Sequence, residues 1–223
     1  MILSTSMKPK LTLEALKTEA RTFAELESTH REPSLYGVTD GKAVGTYFEH
    51  KFRAYLHQRY DFEEGSSAKG IDFPELGVDM KVTSIRQPQS SCPFKSARQK
   101  IYGLGYSLLV FVYDKTDDPA TSTGSLNILH TIFVEAKRTA DFQTTTGLRR
   151  ILENEGNKDD LLAFMQERML WMDDIEASNI ADELLERSPE IGYLTISNAL
   201  QWRLQYGRVI EKAGSVPGVE RLK

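Results

Sequence analysis

The chain has 223 residues, 40% hydrophobic and 27% charged, the composition of a globular protein with one sizeable domain or a core plus an appendage. Its single cysteine, Cys92, excludes an internal disulfide and fits a reducing compartment. No apolar run approaches the ~18 residues of a membrane span. The N-terminus has only a short apolar stretch before Ser6, Lys8 and Lys10, unlike a secretory signal, so a cytoplasmic protein is expected.

The net charge of −4 argues against a polyanion ligand until its distribution is considered. Residues 80–113 hold five basic side chains and no acidic one, residues 150–190 twelve acidic against four basic, and residues 197–223 five basic against two acidic. Local potential governs where a polyanion docks. The same asymmetry also arises from ordinary variation along a chain.

In chain order, apolar residues at Leu13, Leu16, Ala20, Phe23 and Ala24 follow a helical period and predict a helix over 11–27. Residues 33–40 read as a loop. A second helix is expected over 41–60, with Val44, Phe48, Phe52, Tyr55 and Leu56 on one stripe, broken at Gly65-Ser66-Ser67. Two short strands follow, 69–72 and 77–85, joined by Phe73-Pro74-Glu75-Leu76. Residues 86–93 read as a polar loop and 94–103 as a short basic helix closed by Gly103 and Gly105. A buried strand over 106–113, a turn-rich loop over 114–125 and a strand over 128–139 come next. Beyond Thr146 the pattern turns helical, over 148–152 and 158–185, with Ser188-Pro189 interrupting. Thr195-Ile196-Ser197-Asn198 is placed to cap a last helix running to Ala213.

This order predicts an α/β fold with a mixed central sheet flanked by helices and a helical C-terminal extension. A soft boundary near residue 150 divides a core, 1–150, from a helical region, 151–223, for DNA recognition or dimerisation.

The most informative stretch is Gly70-Ile71-Asp72-Phe73-Pro74-Glu75-Leu76-Gly77-Val78-Asp79-Met80-Lys81-Val82-Thr83. On a strand over 78–83, Asp79, Lys81 and Thr83 share one face, and Val78, Met80 and Val82 share the core face. A hairpin would return Asp72 toward Asp79 and Lys81. Two adjacent carboxylates repel, and a divalent cation relieves the repulsion. Mg²⁺ prefers such oxygen ligands and keeps waters able to attack phosphorus, and Lys81 can hold or activate that water. An acid-x-Lys triplet alone is weak, because roughly one or two arise by chance in a chain this long. A rival, Glu135-Ala136-Lys137, also reads as strand, with Asp117 and Asp118 upstream. Context favours the first site, since Asp72 lies at hairpin distance and a helix bearing Glu49 precedes it. The bland reading of Asp79 and Lys81 is an ion pair on a solvated strand face. His50 and His57 lack a third ligand at zinc spacing and read as surface or DNA-facing groups.

Glu49 on a helix, then Asp72, then Asp79-Met80-Lys81 resembles the PD-(D/E)xK nuclease superfamily, type II restriction endonucleases in particular, over about 41–113. The resemblance implies a restriction-endonuclease-like fold. It also implies metal binding by Asp72 and Asp79, an attacking water positioned by Lys81, and an auxiliary role for Glu49. Ile71 stands where the motif has proline, and Asp79 where glutamate is commoner.

Phosphate contacts would come from Lys95, Arg98 and Lys100, which read equally as a solvated helix face. The loop bearing Ser84, Arg86, Gln87 and Gln89 offers side chains that read base edges. In the last predicted helix, Ser197, Asn198, Gln201, Arg203, Gln205 and Arg208 resemble a helix-turn-helix recognition helix. The same segment reads equally as a packing helix on Leu200, Leu204, Tyr206 and Ile210. The resulting expectation is a type II restriction endonuclease, a Mg²⁺-dependent homodimer that cuts double-stranded DNA at a short site and leaves 5′-phosphate ends. The alternatives are a repair or junction-resolving nuclease of the same fold and a non-catalytic helix-turn-helix regulator.

Overall fold

The computed structural model describes residues 8–65, 70–91, 96–170, 172–197 and 203–223. It forms two compact units that interleave along the chain. The first comprises Met1–Gln87, Leu109–Phe133 and Arg221–Lys223, and the second Pro88–Leu108 and Val134–Glu220.

In the first unit, α1 (Leu13–Thr29) starts where the Thr12 side chain accepts a hydrogen bond from the Ala15 amide. Helix α2 (Gly41–His57) starts at Asp40, whose carboxylate accepts from the Lys42 amide. Both helices follow the apolar periods read from the sequence. Their buried stripes meet through Phe23, Phe48 and Phe52, and Phe111 of β3 (Ser107–Asp118) completes the aromatic cluster. Ring centroids lie 5.2 Å apart for Phe23–Phe48 and 4.7 Å for Phe48–Phe111. Strand β1 (Val78–Ser84) packs against α2, burying Val78 and Met80 in the same core.

The sheet is mixed and four-stranded, in the order β1-β3-β4-β7, with β4 spanning Thr123–Val134 and β7 Val219–Arg221. Strand β1 therefore lies at an edge. With its flanking helices this is the restriction-endonuclease-like α/β arrangement expected. The loop expected over 114–125 is much shorter, because β3 and β4 extend to within a few residues of each other. Asp118 organises the turn, its carboxylate accepting from the Ala120 amide and the Thr121 hydroxyl.

The second unit contains β2 (Gln89–Ser91), α3 (Arg98–Tyr102), α4 (Phe142–Glu153), α5 (Lys158–Glu167), α6 (Asp174–Glu186), β5 (Thr195–Ile196), β6 (Arg203–Gln205) and α7 (Gly207–Lys212). Its core gathers Ile101, Leu148, Leu161, Met165, Ile180 and Leu184. The long helix expected over 158–185 is two helices. Met169 adopts a left-handed φ of 49°, and the Asp173 carboxylate caps a fresh start by accepting from the Glu176 amide. The change of character near residue 150 falls inside α4.

Three further expectations are corrected here. No strand forms over 70–72, where only an isolated antiparallel bridge joins Phe73 and Val78 around a 3₁₀ turn, Pro74–Leu76, with Gly77 left-handed at φ 61°. The polar loop after β1 contains strand β2. The single helix from Ser197 to Ala213 does not form, because Arg203–Gln205 is a strand and, among the described residues of that span, helix is confined to Gly207–Lys212. Strand β6 pairs with β2 on one side and β5 on the other.

Asp141 ties α4 to β5. Its carboxylate is 5% exposed and accepts from the Thr144 amide and hydroxyl and from the Ile196 amide. Asp141→Ala removes a helix cap and leaves the Ile196 amide unpaired, so urea denaturation is expected to show a loss of about 2–3 kcal/mol. Among the described residues no helix is long and apolar enough to cross a membrane.

Candidate active site

Four of the predicted site residues converge in the first unit. Asp79 and Lys81 project from the same face of β1, and Lys81 Nζ lies 2.7 Å from Asp79 Oδ2. The pair is largely enclosed, with side chains 6% and 22% exposed, which is not the geometry of an ion pair on a solvated strand face. Asp72 arrives without a strand of its own. The Phe73–Val78 bridge turns the chain, and the Met80 amide donates to Asp72 Oδ2 at 2.8 Å. The Asp72 carboxyl is close enough to Asp79 to push its pKa up. Glu49 lines the same cluster from α2, half-buried and close enough to feel the charges of Asp72, Arg53 and Lys81.

Electrostatics mark this as a strained constellation. Burial pushes the Asp79 carboxyl up to about 7; Lys81 opposes the shift, and the hydrogen bond with Asp72 adds to it. Burial and the charge of Asp72 also raise Glu49 above the usual carboxylate range, against Arg53 and Lys81. Burial disfavours the charged form of Lys81, but Asp79, Asp72 and Glu49 outweigh it and its pKa is raised. Around neutrality a proton on Asp79 relieves the crowding of carboxylates, and a hard cation bridging Asp72 and Asp79 would relieve it better. Among the described residues no three Asp, Glu, His or Cys side chains already converge as a metal cage. The oxygen pair fits a hard divalent cation whose shell is completed by water and substrate oxygens.

Sequence reasoning missed Arg53. Its guanidinium hydrogen-bonds Asp72 Oδ1, and its Nε is buried without a partner among the described residues. A signal existed, since Arg53 lies four residues beyond Glu49 and thus one turn along the same helix face. Arg53 holds Asp72 in place and offsets part of its charge.

The rival triplet has a different setting. Glu135 precedes and Lys137 lies within a 3₁₀ turn, Ala136–Arg138, instead of on a strand, and the two form an exposed 3.2 Å ion pair. Asp118 is used by its own turn, and Asp117 by Lys115 and the Gly37 amide. His57 stacks on Phe62 and contacts Glu64 at 2.5 Å, while His50 is exposed.

The residues expected to meet DNA fall on several elements. Ser84, Arg86 and Gln87 form a tight turn after β1, with Arg86 largely exposed and its Nε 3.9 Å from Asp114. Gln89 lies on β2 and Arg203 on β6. Arg98 is paired with Glu183 at 2.6 Å. Lys100 is only 4% exposed, its ammonium disfavoured by burial and supported by Asp141. A buried ammonium cannot reach a phosphate, so the contact expected of Lys100 is withdrawn. Arg208 stacks on Phe142, 3.7 Å from the ring centroid, with its Nε buried, and acts in packing. The Ser197 hydroxyl is buried without a partner among the described residues. Lys95, Asn198 and Gln201 lie outside the described residues.

A restriction-endonuclease-like fold bearing an enclosed carboxylate pair and lysine belongs to the class of site-specific deoxyribonucleases. The profile of the family described as "Type II restriction enzyme NspV" matches residues 10–221. A protein of that name from Nostoc sp. (strain ATCC 29411 / PCC 7524) is 70% identical over 209 residues, covering 94% of this chain and 95% of the relative. The chain belongs to the NspV family of type II restriction enzymes. No solved structure matches it.

Proposed function

We propose that this type II restriction endonuclease is a member of the PD-(D/E)xK superfamily that uses Mg²⁺ to hydrolyse both strands of a short duplex site as a homodimer. One observation carries the reading. Asp72, tied to β1 by the Met80 amide at 2.8 Å, and Asp79 come together from two different chain segments, and Lys81 is held beside Asp79 at 2.7 Å. Asp72 and Asp79 are the metal ligands, with Glu49 as an auxiliary acid on the far side of the cluster. When bound, the cation supplies positive charge to the phosphate and acidifies a nearby water.

The chain's own side chains do the remaining work. Arg53 fixes the orientation of Asp72, and the β1 backbone fixes Asp79 and Lys81 on one face. Lys81 is charged and poorly solvated, so its ammonium aligns the attacking water and offsets charge growing on the phosphate. In-line attack breaks the P–O3′ bond and leaves 5′-phosphate and 3′-hydroxyl ends. A palindromic site and a symmetric dimer place one such cluster at each strand. Residues 151–223 serve recognition or the dimer contact.

The test is plasmid digestion with and without Mg²⁺, followed by end sequencing and 5′-phosphate labelling. Discrete fragments with 5′-phosphate ends, abolished by chelation and restored by Mg²⁺, are expected. Absence of discrete fragments, or cleavage undiminished by chelator, overturns the reading.

A further inference from the structure

Two segments that the sequence presents as separate candidates are hydrogen-bonded neighbours in the second unit. Strands β2 and β6 run antiparallel with Gln89 opposite Gln205, Ser90 opposite Leu204 and Ser91 opposite Arg203. Strand β5 extends the sheet, with Thr195 opposite Gln205 and Ile196 opposite Leu204. Directly opposed residues of antiparallel strands share a face, and alternate residues change face.

The register therefore sorts the side chains into two sets. Leu204 and Ile196 are buried on the inner face, and Ser90 bonds the buried Tyr206 hydroxyl there at 2.6 Å. Gln89, Ser91, Arg203, Gln205 and Thr195 share the outer face, where Ser91, Arg203 and Gln205 are exposed. That face carries no apolar residue and no carboxylate, although acidic residues crowd the helices of the same unit. Arg203 has no ion-pair partner among the described residues. The platform is pinned at two ends, because the Tyr206 amide donates to the Pro88 carbonyl and Asp141 holds the Ile196 amide.

We propose that this outer face is the base-reading surface of the enzyme, with Arg203, Gln205 and Gln89 meeting base edges in the major groove of the duplex. The major groove admits a two-stranded antiparallel ribbon and presents a distinct donor and acceptor pattern for each base pair, whereas the minor-groove pattern is degenerate. Arginine pairs bidentately with guanine and glutamine with adenine, while Ser91 and Thr195 contact either. A ribbon anchored by backbone pairing on both sides of β6 holds these groups in fixed register, which discrimination between base pairs requires. The proposal rests on the DNA-cleaving reading above and adds where sequence is read.

The experiment compares wild type with Arg203→Ala, Arg203→Lys and Gln205→Ala on a library of duplexes with the cleaved site randomised. Cleavage is read by sequencing, and binding is read in parallel by gel selection of the same library without Mg²⁺. Each exposed-residue substitution is expected to lower cleavage of the preferred site roughly 10- to 100-fold and to relax preference at one symmetry-related base-pair position, different for Arg203 and Gln205. Arg203→Lys is expected to retain affinity while losing most of the discrimination. Uniform weakening with unchanged preference and a shallower salt dependence would make Arg203 a phosphate contact and overturn the proposal. So would a lowered dimer mass with base preference intact, or no change at all. A wild-type protein that selects a sequence in the gel arm but cuts nothing refutes the cleavage reading, and the variants' altered selection still decides the base-reading face.

Discussion

Lys81→Ala is expected to lower cleavage by roughly 10³-fold while leaving equilibrium binding to the duplex within a few-fold of wild type. Lys81 is the only cation on the Asp79 face of β1, and Asp79 holds its ammonium at 2.7 Å, with an exposure of 22% leaving a path to substrate. Removing it takes away the group that orients the water and offsets phosphate charge, but no group that the proposed reading gives to base recognition. The variant should stay folded, because Lys81 is a group that holds the Asp79 pKa down, and without it Asp79 takes up a proton more readily and leaves no full charge stranded. Circular dichroism checks this before the kinetics are read. Lys81→Gln, which keeps the length and a hydrogen-bond donor, separates charge from placement. Wild-type cleavage by either variant would remove Lys81 from the site, and loss of binding together with cleavage would give it a structural role instead.

Asp79→Asn is expected to abolish detectable cleavage and to change the pH dependence of stability in the metal-free protein. In the folded chain burial pushes the Asp79 carboxyl up to about 7, above its ordinary value of 3.8. The folded state thus binds a proton that the unfolded state has lost, so this group's contribution is complete below about pH 4 and disappears as pH rises through about 7. Metal-free wild type should lose stability across that window. Asp79→Asn cannot ionise and should lose less, although it forfeits part of the ion pair with Lys81. At pH 8 the variant is expected to equal or exceed wild type by about 1–3 kcal/mol in urea denaturation. Mg²⁺ should stabilise wild type at pH 8 and have little effect on the variant. Equal pH slopes in the two proteins, or equal stabilisation by Mg²⁺, would contradict the assignment of Asp79 as a buried metal ligand.

Much of the first unit was legible because its signals are local. The stripe Val44, Phe48, Phe52, Leu56 determines which side of α2 is buried, and Glu49 then falls where α2 overlooks β1. Alternation along β1 places Asp79 and Lys81 on one face whatever the rest of the chain does. The two acid-x-Lys triplets sit in local structures that their sequences do not reveal. The segment before Asp79 is a bridge and a 3₁₀ turn instead of a hairpin, and the rival triplet lies on a turn instead of a strand.

The proposed recognition face was harder to read for a physical reason. A three-residue strand such as Arg203–Gln205 is too short to show a period, and its pairing with Gln89–Ser91 joins residues more than a hundred positions apart. The same holds for single buried cations. Lys100 looks like a surface lysine in sequence, and its burial follows from packing of α3 against α4.

By itself, the sequence determined the two amphipathic helices, the strand carrying Asp79 and Lys81, and the chemistry those residue types can perform, because hydrophobic periodicity and side-chain alternation act within a few residues. Only the tertiary structure decided that Asp72 joins them through the Phe73–Val78 bridge and the Arg53 guanidinium, and that Arg203, Gln205 and Gln89 share one face. Those positions depend on hydrogen bonds and burial between distant segments, which no short-range pattern encodes.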